Sequence, residues 1–250
     1  MSHNILLFTT ALLAGFMNSV AGGGGLITFP MLIIVGVPPL NANATNTVAL
    51  WFGTLTSTFA YRQELSKQRK ELALLSGISV IGGFLGSYLL LSTSPVDFAA
   101  LVPYLMLTAT LLFTFGQPLV QQLTGTYQLR LPLIFILILQ FAIATYGGYF
   151  GGGGGILILA VLNVMGIQNI HTMNAFKTWL ATCLNAAAII YFTSAHIVFW
   201  FQAIFMAIAA AIGGYGGVYL AKKVHPKWVR YFIIGVGFAM TGYFFIHNTT

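Results

Sequence analysis

The sequence predicts an all-α integral membrane protein made of two inverted repeats, each with a glycine-rich broken or re-entrant helix plus long transmembrane helices. Three observations predict it: a composition too apolar for a water-soluble globule, a series of apolar windows of membrane-spanning length, and an internal duplication. Of the 250 residues 58% are hydrophobic and 5% charged, with a mean hydropathy of +0.90, where soluble domains carry about 25% charged residues. Ten Lys+Arg and three Asp+Glu are too few to cover a water-facing surface of this size. Soluble enzymes, disulfide scaffolds and nucleic-acid binders are thereby set aside. The net charge of +7 sits in short clusters between apolar runs, where anionic lipid headgroups meet it. Membrane lipids, not nucleic acid, are the expected neighbours. Cys183 is the single cysteine, so an intrachain disulfide is excluded.

Apolar windows fall at 5–21, 26–36, 43–61, 72–91, 99–116, 131–148, 156–166, 172–194, 197–221 and 229–247. A hydrocarbon core of ~30 Å takes about 20 helical residues to cross. Eight windows are long enough to be spanning helices. The other two, Leu26–Gly36 and Ile156–Gly166, reach roughly 16 Å at 1.5 Å per residue, about half the distance. Each follows a glycine run, Gly22–Gly25 and Gly151–Gly155, and glycine is a poor helix former. The first window resembles a signal peptide in its apolar run and small residues but lacks the positive n-region. It also has a counterpart at Leu131–Gly147, and is read as a retained membrane helix.

The duplication follows from a shift of 130 that one extra loop residue turns into 131. Displaced by 130, Gly22, Gly23, Gly24, Gly25, Leu32 and Gly36 fall on Gly152, Gly153, Gly154, Gly155, Leu162 and Gly166. At 131, Asn43-Ala44-Thr45-Asn46-Thr47 meets Asn174-Ala175-Phe176-Lys177-Thr178, and seven of the fifteen pairs from 81 to 95 are identical. The whole chain, 1–250, is read as one membrane transport domain, with repeat 1 at about 1–120 and repeat 2 at about 131–250. Lys and Arg mark cytoplasmic loops. In the first copy they lie after the third window, at Arg62, Lys67, Arg69 and Lys70. In the second they lie at Lys222, Lys223, Lys227 and Arg230, in the loop whose first-copy counterpart, Ser92–Asp97, has none. If both clusters face the cytoplasm, the units cross in opposite senses and both termini are outside.

Inverted repeats with interrupted helices place a substrate site where the two breaks meet near the bilayer midplane. There, backbone N–H groups and the positive ends of the half-helices favour an anion. The expected substrate-binding residues are Gly22, Gly23, Gly24, Gly25, Gly152, Gly153, Gly154 and Gly155 for their amides. Lys177 supplies charge, and Asn43, Asn46, Thr47, Asn174 and Thr178 supply donors for oxyanion oxygens. Lys177 is the one charge well inside an apolar window; such charges are expensive and functional by default. Its other reading is a side chain that snorkels to the headgroups. Glycines 82, 83 and 86 and their counterparts 213, 214 and 217 are read as close-packing positions, and Asn41 and Thr172 as helix caps. Glu64, Glu71 and Asp97, the three acidic residues, all lie in loops or at helix ends, so ion coupling would rest on His171, His196, tyrosines or backbone carbonyls. No His-Glu-x-x-His, Gly-x-Ser-x-Gly or phosphate-loop lysine motif is present. No enzyme activity, cofactor or metal is expected.

The run Asn18-Ser19-Val20-Ala21-Gly22-Gly23-Gly24-Gly25 with Pro30, then Asn43-Ala44-Thr45-Asn46-Thr47, with their echoes at Gly151–Gly155 and Asn174–Thr178, resembles the TauE/SafE family of sulfite and organosulfonate exporters. The resemblance covers nearly the whole chain. It implies a carrier of the cytoplasmic (inner) membrane for a small sulfur-containing anion. The chain departs from the pattern at Ala160, which stands where the second copy would match Pro30. The expectation is a secondary transporter exporting sulfite or an organosulfonate by alternating access. The alternatives are a passive anion channel of the same fold, or an importer of a related sulfur oxyanion.

Overall fold

The computed structural model describes residues 2–65, 69–127, 132–167, 169–220 and 226–247. Lys67, Lys222 and Lys223 of the basic clusters lie outside them. Every element among the described residues is a helix: α1 Ser2–Val20, α2 Gly25–Ile34, α3 Pro39–Ala60, α4 Arg62–Leu65, α5 Arg69–Ser92, α6 Pro95–Tyr127, α7 Leu133–Tyr149, α8 Gly154–Val164, α9 Ile170–Ser194, α10 Trp200–Leu220 and α11 Pro226–His247. Six of these are long and apolar enough to cross a membrane, and α2, α7 and α8 are shorter apolar helices. Helix α3 has the length, at 22 residues, but its first half carries Asn41, Asn43, Thr45, Asn46 and Thr47. Large side chains such as Phe201 and Trp228 point outward, at 67% and 74% exposure, as lipid-facing residues do. The chain is an integral membrane protein.

Local sequence sets the ends of the half-helices. Gly22 and Gly23 (φ +84° each), Gly151 (+77°) and Gly153 (+73°) adopt the left-handed conformation, which costs an L-residue roughly 1–2 kcal/mol, so the preceding helix stops there. Both half-helices end in the same glycine turn. Gly36 N–H donates to Ile33 O (2.9 Å) and Val37 N–H to Leu32 O (3.0 Å), while Gly166 donates to Asn163 O (2.8 Å) and Ile167 to Leu162 O (3.1 Å). The expected windows for these two elements lie within two residues of the observed helices.

The two capping assignments need correction. Asn169 is the cap of α9, its Oδ1 accepting from His171 N (2.9 Å) and Thr172 N (3.2 Å), and α3 opens on Pro39 after Pro38. Asn41 and Thr172 are therefore already inside their first turns, and their side chains are free to reach across. Asn41 Nδ2 donates to Ile197 O (2.8 Å), just past the end of α9, and Thr172 Oγ1 to Glu64 Oε2 (3.3 Å), just past the end of α3. The start of each helix thus meets the end of the other, so α3 and α9 run antiparallel.

Packing exchanges partners between the two halves. Helix α1 packs on α10 and α7 on α5; α3 packs on α10 and α9 on α5; α6 packs on α11. Glycines let these backbones touch. A Cβ on Gly83 would run into the Leu184 carbonyl, one on Gly214 into the Gly53 carbonyl, and one on Gly82 would lie 2.8 Å from Phe141 O. Hydroxyls then bond across the seams, as Ser57 Oγ does to Gly214 O (3.0 Å) and Thr56 Oγ1 to Ala211 O (3.0 Å). Close backbone approach with interhelical hydrogen bonds holds helices together where lipid removes the hydrophobic drive. The close-packing role expected of glycines 82, 83, 86, 213, 214 and 217 is the one they have. Among the described residues the buried apolar side chains form one cluster around α2, a second around α8 and a small third of Ala14, Leu50 and Ala210; in the first, Phe29 meets Phe150 edge-on at 5.2 Å.

Candidate functional site

The two glycine breaks meet. A Cβ on Gly155 would sit 3.4 Å from Gly22 Cα and 3.5 Å from Lys177 Cδ, and one on Gly25 would sit 3.4 Å from Asn46 Nδ2. Gly22 needs its glycine for a φ of +84°, and a methyl on Gly155 would already touch Gly22 and the Lys177 stem, so small residues let the first turn of α8 lie against the break before α2 and against Lys177. Between them lies a cavity of about 80 Å³. Gly25 and Gly155 line it at the N-terminal ends of the half-helices, and their amides make no hydrogen bond among the described residues. Helix N-termini carry partial positive charge and unpaired N–H groups, so both ends of the break favour an anion.

Lys177 adds the full charge. Its side chain is 2% exposed, and its Nζ donates to Asn174 Oδ1 at 2.9 Å. Of the ammonium's three donors, that bond uses one. The cavity lining contains no carboxylate. A buried cation with no opposite charge at hand is costly, and an anion in this cavity removes the imbalance. The side chain points into the protein, so the snorkelling alternative does not describe it.

The remaining expected residues divide by position. Gly22, Gly23, Asn46, Thr47 and Thr178 line the cavity with Gly25, Gly155 and Lys177. Asn46 Oδ1 accepts from Thr28 Oγ1 (2.5 Å), which leaves the amide nitrogen toward Gly25. Thr47 and Thr178 donate to the carbonyls of Asn43 (2.9 Å) and Asn174 (3.0 Å) one turn back, so toward the cavity they present acceptor lone pairs.

The others stand behind this layer. Gly24 N–H is held by Asn18 Oδ1 at 2.8 Å. Gly152 packs beside Phe150 and Ala109, its carbonyl bonded by Tyr146 Oη at 2.7 Å, and Gly153 approaches the Ala109 backbone. Gly154 opens α8. Asn174 holds Lys177, and Asn43 Nδ2 donates to Tyr149 O at 2.9 Å.

Asn18, Leu50, Thr54, Ala181 and Asn185 also line the cavity and were not among the expected residues. A signal for four of them was present. Asn46, Leu50 and Thr54 recur every four residues, and the 131 displacement carries them onto Lys177, Ala181 and Asn185. One helical face on each of α3 and α9 therefore forms the walls. The faces differ in chemistry, with amide, isobutyl and hydroxyl on one side against ammonium, methyl and amide on the other. Asn18 could have been found only through its bond to Gly24, a contact with no periodic signature.

Comparison with known proteins gives relatives and a family. The chain is 29% identical to a probable membrane transporter protein, ORF9, of a Sinorhizobium species over 236 residues, covering 94% of this chain and 89% of that one. It is 26% identical to a probable membrane transporter protein of Haemophilus influenzae over 237 residues, covering 94% and 92%. It is 27% identical to the probable membrane transporter protein YfcA of Escherichia coli K12 over 237 residues, covering 94% and 87%. No solved structure matches the chain. The family model described as sulfite exporter TauE/SafE matches residues 7–244, which takes in both glycine breaks, both half-helices and Lys177. The chain belongs to the TauE/SafE family and is a membrane transporter.

Proposed function

We propose that this protein is a secondary transporter that exports a small sulfur-containing anion, sulfite or an organosulfonate, across the cytoplasmic membrane by alternating access. The observation that carries the reading is Lys177: a buried ammonium bonded to one neutral amide oxygen, facing a cavity without carboxylates between two half-helix N-termini. Such a site binds a small anion by backbone donors and charge together. Gly25, Gly155, Asn46 Nδ2 and Lys177 donate, while the second layer of Gly24, Asn43, Asn174 and Gly152–Gly154 holds them in place. The chemistry is binding and release, with no bond made or broken.

The architecture supports the transport half of the reading. Antiparallel α3 and α9, and packing pairs that exchange between the halves, fit two inverted repeats at about 1–120 and 131–250 rocking around a fixed central site. With the basic loops in the cytoplasm, both termini are outside. Export needs no coupled ion. A negative-inside potential of 100 mV is worth ~2.3 kcal/mol per charge, roughly a 40-fold gradient at about 1.4 kcal/mol per decade.

The test is efflux of labelled sulfite from proteoliposomes, with the potential clamped at zero and then set negative inside. Saturable efflux that accelerates with the potential is expected. Efflux that never saturates would assign a channel, and no efflux of sulfite or short organosulfonates in either condition would overturn the substrate assignment.

A further inference from the structure

Asn43 poses a problem that the anion site does not solve. It is 1% exposed, its Nδ2 is committed to Tyr149 O at 2.9 Å, and its Oδ1 is buried with no hydrogen-bond partner. Turning the amide over would set oxygen against oxygen, so the bare acceptor is fixed where it is. A buried unpartnered polar atom costs about 1–3 kcal/mol and needs an explanation. The transported anion cannot supply one, because an oxyanion presents oxygens, and two acceptors repel.

The second half of the molecule contains the answer to the same problem. The 131 displacement carries Asn43 onto Asn174, and Asn174 Oδ1 is satisfied by the Lys177 ammonium at 2.9 Å. It carries Asn46 onto Lys177, but Asn46 has no ammonium, and its Oδ1 faces Thr28. The first half thus keeps the amide oxygen that holds a cation and lacks the cation. A second feature lies at the same place. Tyr149, whose carbonyl Asn43 touches, is the last residue of α7. Tyr146 O takes the amides of Phe150 (2.9 Å) and Gly151 (3.3 Å) and Tyr149 O takes Asn43 Nδ2. As the last carbonyls of a helix they carry partial negative charge, and Tyr149 O keeps a second lone pair. Phe150 and Gly151, which follow it, line the central cavity.

From this geometry we infer that the first repeat binds a small monovalent cation, sodium in size and hardness, between Asn43 Oδ1 and the C-terminal carbonyls of α7, where it does for that half what the Lys177 ammonium does for the other. Neutral oxygen ligands without a carboxylate suit a singly charged hard cation better than calcium or magnesium, which recruit carboxylates. An amide oxygen does not titrate, which excludes a proton. Ends of interrupted helices are where transporters of this architecture take such ions. With sodium on one side of the break and Lys177 on the other, an anion between them is held by two positive charges. Each ion then raises the affinity for the other, and the coupling is reciprocal; the sodium stays in its site while the anion crosses, so the potential still drives export. This inference rests on the proposed anion site, and its test separates the two.

The purified protein is unfolded by heat in sodium chloride and in choline chloride at equal ionic strength, first without and then with sulfite. Sodium alone is expected to raise the melting temperature of the wild type and to have no such effect on Asn43→Leu. Sulfite is expected to bind roughly tenfold more weakly in choline, within the usual range of such couplings. Where Asn43→Leu does not fold, Asn46→Lys serves instead. It sets an ammonium three residues after Asn43, as Lys177 stands to Asn174, and is expected to lose the sodium response. Identical melting of the wild type in the two salts, or an undiminished sodium response in Asn46→Lys, would overturn the cation site. A sodium shift without any sulfite binding would leave the cation site standing and defeat the sulfite assignment. Sulfite binding that is equal in the two salts, with no sodium shift, would do the reverse.

Discussion

Replacing Lys177 with methionine removes the charge and keeps most of the side-chain volume, and the structure gives the expected sign for both stability and transport. On the stability side, a charge inside a membrane helix costs about 2.5–3.5 kcal/mol, and its removal returns that amount. Against this, Asn174 Oδ1 loses the donor that holds it at 2.9 Å, at about 1–3 kcal/mol. The net runs from about 0.5 kcal/mol less stable than the wild type to about 2.5 kcal/mol more stable. On the transport side, unit charges ~4 Å apart at an effective dielectric of ~20 attract by about 4 kcal/mol. At about 1.4 kcal/mol per decade this is roughly three decades of KM for the anion. Lys177→Arg keeps the charge, but its planar fork must fit where Gly155 lies against the lysine stem, so an intermediate loss is expected. The assay is the sulfite dependence of efflux in proteoliposomes beside thermal unfolding of each variant. Unchanged KM in Lys177→Met would refute the charge argument. A stability loss of more than about 3 kcal/mol, the mark of a broken buried pair, would make the lysine structural.

Other perturbations probe the scaffold. Gly83→Ala and Gly214→Ala drive a methyl into the Leu184 and Gly53 carbonyls and are expected to destabilise by about 1–3 kcal/mol. Gly77→Ala and Gly216→Ala, with nothing within 4 Å of the added carbon, are expected to be neutral or stabilising by about 0.4–1 kcal/mol in the same unfolding assay. Thr172→Val removes the tie to Glu64 at one end of the α3–α9 pair, and Asn41→Leu removes the tie to Ile197 at the other. Each is expected to shift access toward its own end by about 1 kcal/mol, roughly fivefold, read as opposite changes in labelling of Ala181→Cys from the two sides. In a Cys183→Ala background, Leu65→Cys and Lys227→Cys should both label from the cytoplasm; labelling from opposite faces would overturn the inverted repeat.

Much of the fold was legible because it is written in periodic signals. Glycine runs ahead of eleven-residue apolar windows place both half-helices to within two residues, and displacements of 130 and then 131 relate Gly22–Gly36 to Gly152–Gly166 and Asn43–Pro95 to Asn174–Pro226. The cavity was legible in part. Lys177 stood out as a charge in an apolar run, and Asn46, Thr47 and Thr178 followed from the displacement. What the displacement cannot report is which face of a helix meets which neighbour. Asn41 and Thr172 looked like caps because polar residues near a helix start usually are, yet Pro39 and Asn169 had already opened those helices, freeing both side chains to cross to the opposite end. Gly24 looked like an anion donor, yet its amide is taken by Asn18 from the preceding helix, a bond between residues with no periodic relation. Thr54 and Asn185 carried the right spacing, but a hydroxyl and an amide in long helices have no distinctive chemistry until α3 and α9 are set face to face.

In the proposed cycle one buried site, exposed alternately to the two sides, carries a small anion. Counterflow in proteoliposomes tests it most directly: labelled sulfite is presented outside at trace level to vesicles preloaded with unlabelled sulfite, with the potential clamped at zero. A carrier built around Lys177 is expected to accumulate label transiently above the outside concentration, because each return trip exchanges one anion for another, and Lys177→Met is expected to lose that overshoot. Label that enters only to equilibrium, at the same rate with empty and with loaded vesicles, would rule out an alternating-access carrier of sulfite.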